Sequence, residues 1–236
     1  MAEEYHIPGV KIDQMLEVRN LSFRYPNNDN FIWLPLNLLL RAGEVVVIQG
    51  SNGSGKTTLL HCLCGIIPQI ITGEMKGEVL YLGESISALS LKEIAPKINI
   101  LFQEPEKQIF MPVVEDEIAF GPENLALERE EILQRVNDLL KRFRIGHLRK
   151  SSTTNLSFGQ KKLVVLASIL AIAPEVILID EFTAGMEDAV IDLFIEHLKE
   201  LKKEGKLIIL ADHHSGLTEL ADQQINLDEL RYGNTI

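Results

Sequence analysis

Cysteine is scarce in this 236-residue sequence, which contains only Cys62 and Cys64. Two residues apart on a helix, these side chains would face different sides. We therefore expect each of them to pack as a small apolar residue. Because no other cysteine is present to supply ligands, the pair does not predict a metal site.

The sequence also has few basic residues relative to acidic ones and contains no long apolar run. The 23 Lys and Arg residues against 34 Asp and Glu give a net charge of −11, which argues against a nucleic-acid-binding surface. No apolar stretch approaches the roughly 20 residues that a membrane-spanning helix requires. The hydrophobic content of 46% is nevertheless enough for a large core, and the length suits one compact domain.

Glycine is concentrated in one segment, Gly50-Ser51-Asn52-Gly53-Ser54-Gly55-Lys56-Thr57-Thr58, which fits the phosphate-binding pattern G-x-x-x-x-G-K-[ST]. An apolar run at 44–48 precedes it and a candidate helix at 57–63 follows, as the motif requires. The backbone N–H groups of such a loop point at phosphate oxygens, and the helix N-terminus adds partial positive charge. Lys56 can reach the β- and γ-phosphates, and the Thr57 hydroxyl can ligate Mg²⁺. An accidental glycine-rich turn is the alternative, and the loop alone indicates only a nucleotide-binding class.

Two adjacent carboxylates, Asp180 and Glu181, end the apolar run at 176–179. Such a run is typical of a strand buried on both faces of a parallel sheet, where ligands bind at the carboxyl ends of the strands. Asp180 would hold Mg²⁺ through water, and Glu181 would orient or deprotonate the attacking water. Without the phosphate-binding loop, a strand that simply ends in solvated acids would be the simpler interpretation.

A second phosphate-binding device is predicted at Leu156-Ser157-Phe158-Gly159-Gln160, which precedes an apolar segment that ends at Ala173. Ser157 is a good N-cap residue, so the segment presents a hydroxyl and free N–H groups at a helix start. The segment resembles the signature Leu-Ser-Gly-Gly-Gln of the ATP-binding cassette (ABC) family. That resemblance extends over roughly residues 16–230. It implies that Ser157, Gly159 and Gln160 close over an ATP molecule held by another subunit.

The resemblance implies further roles for residues that would otherwise look ordinary. Gln103 resembles the glutamine that touches Mg²⁺ and water, and residues 184–187 resemble the loop that follows the catalytic glutamate. Tyr25 resembles the aromatic residue that stacks on adenine. His213 resembles the switch histidine on the γ-phosphate, although His214 remains open as the alternative.

The fold that the resemblance implies is α/β, with a P-loop NTPase RecA-like core, an N-terminal antiparallel β subdomain and an inserted helical subdomain. The whole would be a single ABC ATPase domain at 14–230, with the helical subdomain at about 112–173. The sequence pattern agrees, since residues 14–47 alternate strands with turns and residues 115–173 have a helical period. Residues 44–103 are expected to carry the first βα unit.

A narrower resemblance lies in residues 102–110 (Phe-Gln-Glu-Pro-Glu-Lys-Gln-Ile-Phe) and residues 114–124. Both are similar to the ATPases of energy-coupling-factor importers, which take up vitamins and transition-metal cations. Those ATPases work with a transmembrane coupling protein and a small substrate-binding membrane protein, at the cytoplasmic face of the cell membrane. We expect Ile109 and Phe110 to anchor a short helix of such a coupling protein.

Several positions depart from the family pattern. Phe158 replaces the glycine that is usual in the family, Phe182 replaces proline, Glu187 replaces aspartate and Leu163 replaces arginine. The segment 212–214 reads Asp-His-His in place of Thr-His-Asp. These changes lie in elements expected to face a second ATPase subunit, so they predict a heterodimer with unequal sites, while a homodimer remains open. Two other functions also remain open, namely a soluble ABC ATPase outside transport and a regulatory nucleotide-binding subunit with weak turnover.

Overall fold

The computed structural model describes residues 14–231. Within this range the chain forms a four-stranded antiparallel sheet and a five-stranded parallel sheet, with helices packed around them. The strands are β1 (Gln14–Arg24), β2 (Leu36–Arg41), β3 (Val45–Gln49), β4 (Glu74–Tyr81), β5 (Glu84–Ser85), β6 (Ile98–Leu101), β7 (Val176–Asp180), β8 (Leu207–Ala211) and β9 (Gln223–Asn226). The helices are α1 (Lys56–Leu63), α2 (Ile66–Gln69), α3 (Leu91–Ile94), α4 (Val114–Asn124), α5 (Arg129–Arg142), α6 (Phe158–Ile172), α7 (Asp188–Lys203) and α8 (Ser215–Leu220).

The parallel sheet has the order β6-β7-β8-β3-β9, and its inner strands β7, β8 and β3 are buried on both faces. Successive side chains of a strand point to opposite faces. Val46 and Ile48 of β3 accordingly join the core that contains α1 and the antiparallel sheet, whereas Val45 and Val47 join the core that contains α6 and α7. Because all five strands are parallel, the ends of β3 and β7 meet at one edge of the sheet. This arrangement brings the loop after β3 close to Asp180.

The antiparallel sheet has the order β2-β1-β4-β5. β1 pairs with β2 as the sequence predicts, but its other neighbour is β4, which lies in the segment expected to carry only a βα unit. That expectation was incomplete, because the chain returns to the antiparallel sheet after α1 before it enters β6. The pairing of β1 with β4 joins residues far apart in the chain, and local periodicity carries no information on such a partner.

Three of the long helices, α4, α5 and α6, follow one another between β6 and β7. They pack on each other through apolar residues that belong to the same core as one face of the parallel sheet. α6 is apolar around most of its surface because it lies between this helical layer and β6. These features confirm the predicted fold class.

Cys62 of α1 and Cys64, the C-cap residue of that helix, are free and buried in the apolar core, as expected from the sequence. Burial raises the pKa of both thiols, so they remain protonated near neutral pH. None of the helices within 14–231 combines the length and the apolar character needed to cross a membrane.

Candidate active site

The glycine-rich loop connects β3 to α1, and two of its glycines are required by the geometry. Gly55 has φ +97°, and an added Cβ would lie 2.7 Å from side-chain atoms of Ile32 and Trp33. Gly50 has φ +148°, and an added Cβ would lie 2.5 Å from the Ser54 hydroxyl oxygen. Only glycine combines these backbone angles with the absence of a side chain.

Two residues that the sequence did not indicate, Trp33 and Asp228, form hydrogen bonds to this loop. The buried Trp33 donates its indole Nε1–H to the Ser54 carbonyl at 2.9 Å. The Asp228 carboxylate accepts hydrogen bonds from the Ser51 N–H and hydroxyl at 2.7 and 2.8 Å. These contacts preset the shape of the loop before any ligand binds. They span 21 and 177 positions of sequence, so no local motif could reveal them.

The start of α1 has the properties of an anion site. Its first turn contains no acidic residue, and the Lys56 ammonium lies against the loop, donating to the carbonyls of Gly50 at 2.9 Å and Ser51 at 3.4 Å. The Ser54 hydroxyl oxygen is buried and has no protein partner among the described residues. Free N–H groups at a helix start, an adjacent ammonium and an unpaired hydroxyl together suit a bound phosphate chain.

Asp180 ends β7 next to this helix. Its buried carboxylate accepts a hydrogen bond from the Thr57 hydroxyl at 2.7 Å. Burial raises the pKa of Asp180, while the hydrogen bond from Thr57 opposes that shift. No cluster of three or more His, Cys, Asp or Glu residues able to hold a metal occurs within 14–231. A carboxylate beside a hydroxyl still fits Mg²⁺, which takes few protein oxygens and completes its shell with water and phosphate.

Glu181 and Gln103 form a pair at the same sheet edge. The Gln103 side-chain amide donates to the Glu181 carboxylate at 2.6 Å across 78 positions of sequence. Glu181 has φ +49°, in the left-handed region that non-glycine residues seldom adopt. Backbone strain of this kind concentrates at functional sites. The structure thus brings together both residues to which the sequence assigns work on the attacking water.

A cleft of about 510 Å³ lies between the glycine-rich loop and the connection from β1 to β2. Tyr25 borders it, with its ring perpendicular to that of Phe23 and its hydroxyl 2.9 Å from the Thr58 hydroxyl. The predicted site residues that line the cleft are Tyr25, Asn52, Gly53, Gly55, Lys56, Thr57, Thr58, Gln103 and Glu181. Asn28 and Ile32, which the sequence did not indicate, complete its wall.

The two candidate switch histidines have different environments. The half-buried His214 caps α8, since its Nδ1 accepts the Gly216 N–H at 3.2 Å. His213 is exposed and is not among the residues that line the cleft. Both backbone N–H groups donate to the Asp212 carboxylate, which also accepts from the N–H and hydroxyl of Thr183. The Nδ1 of the His214 imidazole is therefore engaged in capping, whereas the exposed His213 imidazole takes no part in that cap.

The signature segment, residues 156–160, begins α6. The predicted N-cap is confirmed: the Ser157 hydroxyl accepts the Gln160 N–H at 3.3 Å, and the Gln160 side chain accepts the Ser157 N–H at 2.9 Å. Ser157 is exposed, and neither it nor Gly159 or Gln160 lines the cleft. The segment is therefore presented on the surface, apart from the phosphate-binding loop of its own chain.

One interpretation of the departures from the family pattern was wrong. The Phe182 side chain is fully buried and stacks on Phe194, with ring centroids 3.7 Å apart, so it does not look towards another subunit. The chain turns inward after Glu181, and an aromatic ring there extends the core. Phe158, with 40% of its surface exposed, and Glu187 do reach the surface.

Comparison with known proteins gives consistent matches to one family. The ABC transporter family profile matches residues 34–184. An ABC transporter ATP-binding protein of Methanosarcina acetivorans is 40% identical over 200 residues, which are 85% of this chain and 60% of that protein. One from Pyrococcus horikoshii is 36% identical over 219 residues, which are 92% of this chain and 77% of the relative. YkoD of Bacillus subtilis, named for HMP/thiamine import, is 36% identical over 203 residues, with 86% of this chain and 37% of YkoD covered.

Several of these relatives are much longer than the match. The chain spans 60% of the M. acetivorans protein and only 37% of two ABC transporter ATP-binding proteins of Methanosarcina mazei. Among solved structures, CbiO1 of Clostridium perfringens, described as part of the ABC transporter complex CbiONQ, matches with a TM-score of 0.79 and 32% identity. That match covers 91% of this chain and 84% of CbiO1. An ATP-binding subunit of an ABC transporter, with a TM-score of 0.75 and 21% identity, supports the fold alone.

Proposed function

This chain belongs to the ABC transporter family as an ATPase domain, and we propose that it powers an importer of the energy-coupling-factor type. The cargo would be a vitamin or a transition-metal cation. The proposal is supported by residues 102–124, by the likeness to CbiO1 and by the likeness to YkoD. We further propose that residues 14–230 act as one domain, with a helical subdomain at about 112–173.

In this proposal the cleft holds ATP. The adenine lies against Tyr25, and the phosphates lie in the loop of residues 50–58 with Lys56 beside the β- and γ-phosphates. Thr57 and Asp180 would hold Mg²⁺, with Gln103 close by, and the ion would neutralise charge on the phosphates. The support is the anion-binding character of the α1 start and the hydroxyl–carboxylate pair of Thr57 and Asp180.

Hydrolysis requires a water molecule beside the γ-phosphate. Water attacks the γ-phosphorus, the bond to the bridging oxygen of ADP breaks, and Glu181 takes or orients the water proton. Gln103 already bonds the Glu181 carboxylate and so limits its orientation. His213 would contact the γ-phosphate when the site closes, since no capping bond engages its imidazole.

A second ATPase subunit would complete the ATP sites of the proposed dimer. Ser157, Gly159 and Gln160 would contact the ATP of that subunit, which agrees with the exposure of Ser157 and with the separation of all three residues from the cleft of their own chain. Phe158 and Glu187 also reach this surface, so a heterodimer with unequal sites is the form that we propose over a homodimer. The assembly would lie at the cytoplasmic face of the membrane, bound to a transmembrane coupling protein and a substrate-binding membrane protein.

The observation that carries the importer proposal is Phe110. It is 71% exposed beside a groove of about 370 Å³ that lies between the segment 106–112 and the segment 153–154. Ile109, predicted as a second anchor, is instead partly buried against the core. Phe110 is therefore the main apolar side chain that a partner could contact here. An exposed phenylalanine at a groove suits an apolar helix of a partner.

The backbone around Phe110 is held firmly. The buried Glu117 carboxylate accepts the N–H groups of Phe110 and Met111 at 2.9 and 2.8 Å. Gln108 donates to the Ile100 carbonyl and accepts the Phe102 N–H, which ties the segment to β6 and to the residue before Gln103. A partner bound at Phe110 would therefore be mechanically connected to the ATP site.

We expect Phe110→Asp to prevent assembly with the transmembrane coupling protein and to abolish substrate uptake, because it would place an unpaired charge in an apolar contact. ATP binding by the isolated chain should be unchanged, since Phe110 does not line the cleft. Pull-down of the coupling protein, uptake in cells and ATP titration measure these effects. Ile70→Asp is the matched control, because Ile70 is 65% exposed and lies outside both the groove and the cleft. Normal assembly and uptake with Phe110→Asp would contradict the importer proposal and leave an ABC ATPase of other purpose.

Tyr25→Ala should weaken ATP binding by about 1–3 kcal/mol, or roughly 5- to 150-fold, if the ring stacks on the base. Tyr25→Phe keeps the ring but loses the hydrogen bond to Thr58, so its loss of ATP affinity should be clearly smaller than that of Tyr25→Ala. Because any base can stack on a tyrosine ring, GTP should bind almost as well as ATP. Calorimetric titration of both nucleotides against the three proteins measures these differences. Equal ATP affinity in the wild type and the Ala variant would reduce Tyr25 to a packing residue.

A further inference from the structure

Lys162 is a fully buried lysine on α6, the helix that starts with the signature segment. Its ammonium donates to three backbone carbonyls, those of Glu181 at 2.8 Å, Phe182 at 2.7 Å and Ala184 at 3.1 Å. An ammonium has three N–H donors, so each of them is used. All three acceptors belong to the turn that follows β7, which we call the glutamate turn (residues 181–184).

Among residues 14–231 no carboxylate lies within salt-bridge distance of the ammonium, although those of Asp212, Glu181, Asp180 and Glu106 act on it from farther away. The rings of Phe158 and Phe182 lie at 4.7 and 5.6 Å from it. Placing a charge in such a position is costly unless hydrogen bonds compensate for the lost water. An apolar side chain of similar length would fill this space without that cost. The hydrogen bonds that the ammonium donates are all to the glutamate turn, which indicates that its role is to hold that turn.

The glutamate turn needs such support. Glu181 has φ +49°, so its carboxylate direction depends on a backbone conformation that the residue does not favour by itself. The turn is held on its other side by Asp212, which binds Thr183, whereas Lys162 holds the carbonyls of the residues around it. The position of Glu181 is thus set between β8 and α6.

We propose that Lys162 is a positioning residue that fixes the direction of Glu181 and joins the glutamate turn rigidly to the signature helix. The proposal rests on the proposed function, in which Glu181 serves the ATP of its own chain and Ser157 serves the ATP of the partner subunit. Closure of Ser157 on one ATP then displaces the start of α6, and Lys162 transmits that displacement to the carboxylate at the other ATP. The two sites of the dimer would be coupled through this one side chain.

Lys162→Met should lower kcat for ATP about 10- to 100-fold, because a displacement on the order of 1 Å at a catalytic group can cost about 100-fold. KM and the dissociation constant for ATP should change by less than about threefold, since Lys162 does not line the cleft. Lys162→Gln, which retains two N–H donors, should recover part of the loss. Lys206→Met is the matched control, because Lys206 also donates to a backbone carbonyl, that of Ala173, but at the surface.

Hydrogen exchange provides a readout that does not depend on turnover. Amides of residues 181–187 in the nucleotide-free chain should exchange faster in Lys162→Met than in the wild type or Lys206→Met, with the rest of the chain unchanged. Wild-type exchange together with wild-type kcat would overturn the proposal, and so would a rise in exchange over the whole chain with a parallel loss of ATP affinity. If Glu181→Gln retained turnover while Lys162→Met still freed residues 181–187, the proposed function would fail and the anchoring by Lys162 would stand.

Discussion

Glu181→Gln should lower the rate of ATP hydrolysis by at least about 100-fold, the usual effect of removing a general base. The dissociation constant for ATP should stay within about threefold of the wild-type value. Glutamine has nearly the same shape as glutamate, and the contacts proposed for the phosphates come from the loop and Lys56. The variant should therefore accumulate as an ATP-bound dimer. Phosphate release, ATP titration and size-exclusion chromatography with ATP measure the three quantities.

Glu196→Gln is the control for this experiment, because Glu196 lies exposed on α7 and has no part in the cleft. It should hydrolyse ATP at the wild-type rate. Near-wild-type turnover in Glu181→Gln would remove Glu181 from the mechanism. Very slow turnover in the wild-type complex itself would instead favour a regulatory nucleotide-binding subunit.

Lys56→Ala, in contrast to Glu181→Gln, should weaken ATP binding itself, with a loss of ATP affinity of about 10- to 150-fold. A hydrogen bond to a charged group contributes about 1.5–3 kcal/mol, and this variant removes the ammonium proposed to face the β- and γ-phosphates. The same ammonium donates to the carbonyls of Gly50 and Ser51, which keeps it beside the proposed phosphate position. Calorimetric titration with ATP and with AMP distinguishes lost contacts to the outer phosphates from a general loss of nucleotide binding. AMP lacks both outer phosphates, so its affinity should fall little.

Folding must be checked for this variant, since Lys56 is buried and bonds the loop. An unchanged thermal unfolding temperature together with weak ATP binding assigns the loss to the phosphates. Lys203→Ala, at an exposed position of α7, should bind ATP as the wild type does. Wild-type ATP affinity in folded Lys56→Ala would contradict the proposed position of the phosphates.

Much of the candidate site could be predicted because its parts are local patterns. The loop at 50–58 and the end of the apolar run at Asp180 each follow from a few consecutive residues, and parallel strands then bring their ends to one edge. The Ser157–Gln160 cap is also local, since its two reciprocal hydrogen bonds join residues three positions apart. In each case the chemistry of neighbouring residues dictates the geometry.

The rest depends on contacts between distant parts of the chain. The bonds of Trp33 to Ser54, Asp228 to Ser51 and Lys162 to the glutamate turn have no sequence signature, because side chains of many types could have filled those positions. The direction of a single side chain is equally hidden, as Phe182 shows by turning into the core. Burial and partners decide these features, and they exist only once the fold has formed.

A structure of Glu181→Gln bound to ATP and Mg²⁺ tests the proposed ATP site most directly. We expect the phosphates in the loop of residues 50–58, the adenine on Tyr25 and a metal ion beside Thr57 and Asp180. We also expect Ser157 and Gly159 of a second subunit to contact the γ-phosphate. Nucleotide bound outside this cleft, or a γ-phosphate contacted by Ser157 of the same chain, would contradict the proposed site.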